Sequence, residues 1–269
     1  VRLPHVLDWL AVNQPDALCL QELKCENKAF PLAEIEAAGY QAQFNGQKTY
    51  NGVAILTRKP LADVSFDIPG FADDQKRIIA GTLDGVRIVC GYFPNGQAVG
   101  SDKFAYKLAW LEALRADVAD GPERVALCGD ANIAPTDADV FDPVAYQGHT
   151  HVTVPERAAL QGLLGLGLHD VVRERWPNER VFSYWDYRAG MFHQNLGMRI
   201  DLVLTDSATA GTVRAAWIDR QARKGTGPSD HAPVMVDLDE APDGDIGPMV
   251  PPPSAGGYRR GSKKLPQSK

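Results

Sequence analysis

Two polar segments far apart in the chain carry the groups best able to do chemistry: GDANIAP at Gly129–Pro135 and PSDHAPV at Pro228–Val234. The first follows the apolar run Val125–Cys128; the second leads into Val234–Val236. Short apolar runs bounded by turn residues read as buried strands. Asp130, Asn132, Asp230 and His231 therefore stand at strand ends, where loops carry chemistry on a rigid scaffold. Two carboxylates, an amide and an imidazole suit metal-assisted hydrolysis of a phosphodiester. Either segment taken alone also reads as an ordinary polar turn closing a strand.

Further segments supply what such chemistry needs. Glu22 ends the run Ala17–Gln21 within LQELK, and a strand-end carboxylate suits Mg²⁺, which takes oxygen ligands; the bland reading is a surface pair with Lys24. Tyr92, in GYFPNG, offers a phenol at a strand end, followed in the turn by Asn95. Asp201 opens a strand after Arg199-Ile200. An Asp meeting a His on a neighbouring strand fixes its tautomer and favours its charged form, whereas pairing with Arg199 is the structural alternative. FSYWDYR places Phe182 and Tyr184 on one strand face, Trp185 and Tyr187 on the other. One of these faces is free to meet a base or sugar. His149 and His151 lack further ligands at zinc spacing.

The elements that must position these groups follow from patterning. Leu3, Val6, Leu7 and Leu10 at helical spacing predict a first helix with Pro4 in its opening turn. Helices are also expected at 31–38, 104–118 and 156–166, and strands at 17–21, 53–57, 78–83, 86–93, 125–128, 181–187, 200–205, 213–219 and 233–238. Asp84-Gly85 marks a hairpin. Strands outnumber helices, which predicts a mixed α/β architecture rather than a βαβ array.

The chain has 269 residues, 44% hydrophobic and 23% charged, as in soluble globular proteins. Residues 1–240 read as one domain and 241–269 as a disordered Pro/Gly-rich basic tail. No apolar run is long enough to span a membrane. Cys19, Cys25, Cys90 and Cys128 read as reduced, mostly buried thiols, and the expected compartment is the cytoplasm. The formal net charge of −6 argues against a broadly basic grip on nucleic acid. A local basic face or a metal offsets that.

LQELK, YNGVAIL, GYFPNG, GDANIAP, FSYWDYR, GMRIDLVL and PSDHAPV, in this order, resemble the exonuclease III family of abasic-site endonucleases. The resemblance implies a four-layer α/β sandwich, two mixed β-sheets packed face to face with helices outside. It implies Mg²⁺-dependent hydrolysis of DNA 5′ to abasic sites, with Mn²⁺ as an alternative metal and 3′→5′ exonuclease and 3′-phosphatase activity alongside. A monomer acting on double-stranded DNA with abasic sites or 3′ ends is expected. By resemblance Glu22, Asp130 and Asp230 bind metal. Tyr92, Asp130, Asn132, Asp201 and His231 are catalytic, and Lys24, Asn95 and Tyr184 contact substrate. Relatives begin with a strand bearing an Asn near the metal, and this chain starts after that point. The expectation is that the neighbours of that strand lose backbone partners, with a cost to stability and activity. Other readings are a phosphomonoesterase or phospholipase on the same scaffold, and a non-catalytic DNA-binding relative.

Overall fold

The computed structural model describes residues 2–240 and 246–253. In chain order the elements are α1 (Leu3–Asn13), β1 (Ala17–Gln21), α2 (Leu32–Ala37), β2 (Gln41–Asn45), β3 (Val53–Thr57), β4 (Ala62–Phe66), β5 (Ile78–Leu83), β6 (Val86–Tyr92) and α3 (Asp102–Ala119). They continue as β7 (Val125–Asp130), α4 (Val154–Leu164), β8 (His169–Asp170), α5 (Val171–Arg175), β9 (Asp201–Thr205), α6 (Ser207–Ala210), β10 (Val213–Asp219), β11 (Val234–Leu238) and β12 (Met249–Val250).

The strands form a six-stranded sheet in the order β4-β5-β6-β7-β9-β8 and two three-stranded sheets, β1-β3-β2 and β11-β10-β12. Strand β3 shows why they stack. Its residues are fully buried on both faces. Val53 and Ile55 meet Ile79, Ile88 and Cys90 of the large sheet, whereas Ala54 and Leu56 meet Leu10 of α1 and Ile35 of α2. The far face of the large sheet is covered by Trp110, Leu111 and Leu114 of α3 and by Leu160 and Leu163 of α4. Burying each such side chain contributes roughly 1.5–3 kcal/mol. Helix, sheet, sheet and helix thus make the four-layer mixed α/β sandwich. Among the described residues the two small sheets are not hydrogen-bonded to each other. There β1 has a strand neighbour only in β3, and β11 only in β10; both strands are half-buried along their whole length.

Several expectations need correction. Residues 181–187 form no strand: Phe182 and Trp185, assigned to opposite faces, are both buried, and Tyr184 makes only isolated bridges to Met198 and His231. Strands β2 and β4 add to the strands expected from the sequence; each is a five-residue alternation of polar and apolar residues, QAQFN and ADVSF. Cys90 alone among the thiols is buried, the other three being half-buried. Packing also runs past residue 240. Strand β12 pairs in parallel with β10, and Met249 is buried, so this stretch of the expected tail belongs to the domain. The basic part of that tail lies outside the described residues.

Candidate active site

Strand register builds the site. Strands β6 and β7 run parallel with Tyr92 opposite Asp130, and β7 and β9 run antiparallel with Asp130 opposite Asp201. Three candidate residues from three distant segments thus share one row at the end of the large sheet. Gly129 permits the close approach. Its φ is 146°, and a Cβ there would lie 1.9 Å from the Gly91 carbonyl oxygen, so any side chain would push β7 off β6.

Asp130 and Asn132 are buried and locked together. The Asn132 amide donates to Asp130 Oδ1 at 2.9 Å, and Asn132 Nδ2 donates to Asp130 Oδ2 at 3.1 Å and to the Phe93 carbonyl at 3.0 Å. This orients Asn132 Oδ1 toward Asn95, whose Nδ2 donates to it at 3.1 Å. Burial raises the Asp130 pKa to about 7; the Asp201 and Glu22 charges add to this, and His231 opposes it.

His231 comes in from the segment before β11. Its Nδ1 is 2.9 Å from Asp201 Oδ2, and its Nε2 is 3.9 Å from Asp130 Oδ2. The expected His231–Asp201 pair is therefore present. Arg199 does not compete for it, because its guanidinium is buried against Asp139 and Asp170. Ser183 Oγ accepts the Asp201 amide at 3.1 Å, while its carbonyl accepts the Ala232 amide at 2.7 Å, joining both halves of the pair to one segment. Burial alone would lower the His231 pKa; the carboxylates of Asp201 and Asp130 outweigh it and raise the pKa to about 10.

Glu22 reaches the same row from the end of β1. Tyr92 Oη donates to Glu22 Oε1 at 2.5 Å, and Lys24 Nζ lies 2.9 Å from Glu22 Oε2. Burial, then the charges of Asp130 and Glu22, raise the Tyr92 pKa, so the phenol stays protonated. Tyr184 stacks obliquely on His231 with ring centroids 5.0 Å apart. Asp230 stands apart: its carboxylate meets Tyr187 Oη at 3.4 Å, and its charge is felt at His231.

His151, set aside from the sequence, belongs here. Its Nε2 is 3.0 Å from Asn132 Oδ1 and 3.3 Å from Asn95 Nδ2. Lys107 and Glu156, behind it, were likewise missed. Two signals were available: Lys107 falls on the apolar stripe Phe104, Trp110, Leu111 and Leu114 of α3, and Thr153-x-x-Glu156 is a capping box, present at the start of α4.

The oxygens of Asp130 and Asp201 and a nitrogen of His231 lie within 4.8 Å of one another. The carboxylates of Asp130 and Asp201, with Glu22 across Tyr92, are oxygen donors of the kind hard divalent cations take; His231, kept protonated by the same carboxylates, lends charge rather than a ligand atom.

Comparison with known proteins gives the family. Residues 3–231 match the endonuclease/exonuclease/phosphatase family. Exodeoxyribonuclease III of Haemophilus influenzae is 33% identical over 252 residues, covering 87% of this chain and 94% of that protein. The 3′–5′ exonuclease NExo of Neisseria meningitidis superposes with a TM-score of 0.87 at 43% identity, and an AP endonuclease of Archaeoglobus fulgidus with 0.87 at 36%; each covers 89% of this chain and 95% of the other. The chain belongs to the endonuclease/exonuclease/phosphatase family and, within it, to the exonuclease III group of DNA-repair nucleases.

Proposed function

We propose that the chain hydrolyses DNA phosphodiesters with a bound divalent cation, Mg²⁺ first and Mn²⁺ as the alternative, incising 5′ to abasic sites and trimming 3′ ends. The observation that carries this reading is the row Tyr92–Asp130–Asp201, set by strand register and closed by His231. Asp130 has the raised pKa of a group that accepts a proton near neutrality. With Asn132 holding its direction, it orients and deprotonates the attacking water. His231, kept charged by Asp201, donates to a phosphoryl oxygen as negative charge develops there. Tyr92 turns its phenolic proton to the same phosphoryl group. Glu22 and Asp130 are the carboxylates assigned to the cation, with Asp230 adding charge nearby. When bound, the cation neutralises phosphoryl charge. Asn95, Tyr184 and Lys24 line the approach and are assigned to substrate. The partner is double-stranded DNA and the acting unit a monomer in the cytoplasm.

A second emphasis is favoured by one observation. The Neisseria NExo structures, a 3′-phosphatase bound to a product DNA hairpin and a 3′–5′ exonuclease, are 42% and 43% identical to this chain, above the 36% of the Archaeoglobus AP endonuclease. We therefore expect 3′-end processing at least as fast as abasic incision. Duplexes carrying an abasic site, a 3′-phosphate or a recessed 3′-hydroxyl, each assayed with Mg²⁺ and with EDTA, test both readings. Turnover that survives EDTA removes the metal assignment. Hydrolysis of inositol phosphates with no cleavage of any duplex removes the DNA assignment.

A further inference from the structure

Lys107, on α3, has no solvent exposure. A buried ammonium is unfavourable unless its three protons find acceptors. Here they do: Nζ donates to Glu156 Oε1 at 2.5 Å, to the Asn132 carbonyl at 2.7 Å and to the Asn95 carbonyl at 3.3 Å. Glu156 is equally buried. Its carboxylate also accepts the backbone amides of His151 at 2.9 Å and Thr153 at 3.1 Å, and the Thr153 hydroxyl at 2.5 Å. One ion pair thus ties α3, the start of α4 and the loop bearing His151 to two backbone carbonyls of the site.

Stability does not explain such a pair. Burying two charges costs about as much as their attraction returns, and apolar replacements of similar volume are often as stable. What an apolar pair cannot do is fix the direction of a carbonyl. Asn132 has a left-handed φ of 49°. That conformation turns its carbonyl to Lys107 while its side chain reaches Asp130. On the other side, His151 Nδ1 is 3.0 Å from Thr150 Oγ1 and Nε2 is 3.0 Å from Asn132 Oδ1. If the hydroxyl donates to Nδ1, Nε2 carries the proton and donates to Asn132 Oδ1; Asn95 Nδ2, 3.3 Å from Nε2, is then a neighbouring donor whose own proton goes to Asn132 Oδ1. Burial, then the Lys107 charge, lowers the His151 pKa to about 4, although the Glu156 charge and a Thr150 backbone acceptor oppose the shift; the ring is neutral, as either single tautomer requires.

We infer that Lys107 and Glu156 are positioning residues: they set the direction of Asn132 and hold His151 as the Nε2-protonated tautomer, and so fix the Asp130–Asn132 geometry that activates water. The inference rests on the roles assigned to Asp130 and Asn132 above. Lys107→Met combined with Glu156→Leu removes both charges and keeps apolar volume. The double variant leaves no charge alone, but it strips the acceptor from the His151 and Thr153 amides and the donor from the Asn132 and Asn95 carbonyls, so it is expected to unfold below the parent's temperature while staying folded at the assay temperature. Its kcat on a 3′-phosphate duplex is expected to fall at least about tenfold, with KM little changed. A double variant that is stable and keeps the parent's kcat overturns the inference. Long-range ¹H–¹⁵N spectra of His151 give a readout independent of turnover. A single Nε2-protonated tautomer is expected in the parent and a mixture in the double variant; identical spectra overturn the inference. If the parent cleaves no duplex while the tautomer still shifts, the Asp130–Asn132 roles fail and the positioning effect stands. Should the double variant not fold, Glu156→Gln, which keeps size and shape, takes the same two measurements with the same expected directions, and an unchanged kcat with an unchanged His151 overturns the inference.

Discussion

Two lysine–glutamate pairs flank the site, and they are physical opposites. Lys107 and Glu156 are both fully buried, 2.5 Å apart, and held by two helices and a capping box. Lys24 and Glu22 are 2.9 Å apart with side chains 52% and 42% exposed, on a turn where both residues have positive φ. The first pair has no freedom, and every acceptor it engages is backbone or itself buried. The second is solvated and screened, so Glu22 can exchange Lys24 for another cation at little cost. The same residue types thus serve rigidity on the side proposed to activate water and adaptability on the side assigned to the metal.

The largest effect should come from the carboxylate between them. Asp130→Asn is expected to lower turnover at least ~10²-fold, as for loss of a general base, with DNA affinity little changed because grip comes mainly from phosphate contacts. Thermal stability should move the other way. The raised pKa of Asp130 means that its charged form disfavours the native state at pH values above the ordinary carboxylate range. A neutral isostere removes that penalty, so the melting temperature at pH 8 is expected to hold or rise. Steady-state kinetics beside thermal unfolding check this; an unchanged kcat would assign water activation to another group.

Much of this row was legible in the sequence, and some of it could not have been. Asp130, Asp201 and His231 stand out because each adjoins an apolar strand, and strand ends are where polar groups are positioned. Their alignment opposite one another was not legible, because register between strands as distant as β6, β7 and β9 is decided by packing. Residues 181–187 failed for a related reason. Phe182 and Trp185 enter one cluster from an irregular segment, so the alternation of the letters had no strand behind it. The role of Lys107 was not legible for a simpler one. Its helical spacing with Phe104, Trp110, Leu111 and Leu114 puts it on the buried face of α3, but which acceptors meet it there depends on the tertiary path of the loops carrying Asn95, Asn132 and His151.

The next effect is on pH dependence. His231 has a folded pKa of about 10 against about 6.5 unfolded. A raised pKa contributes stability that is fully present below about 6.5 and is lost as pH rises through about 10. Asp201→Asn removes the largest charge favouring the imidazolium and leaves burial, which opposes it. The His231 pKa, followed by NMR, is expected to fall by more than about one unit. The alkaline limb of the kcat profile should move down with it. A titration curve that stays near 10 would show that Asp130 or another carboxylate, rather than Asp201, holds the charge.

The smallest effect tests the solvated pair. For Lys24→Ala we expect a stability change within about 1 kcal/mol, shrinking further as salt is added, because exposed ion pairs gain little in high dielectric and are screened. Glu22 keeps its hydrogen bond from Tyr92, so its position should survive the loss of Lys24. Urea unfolding at low and high salt measures the first point, and the Mg²⁺ concentration for half-maximal activity measures the second. With a competing cation removed, that concentration is expected to stay the same or fall. A stability loss above ~2 kcal/mol would mean that Lys24 is held as firmly as Lys107. The two sides of the site would then both be rigid, and the adaptability assigned to Glu22 would have to come from the cation rather than from the protein.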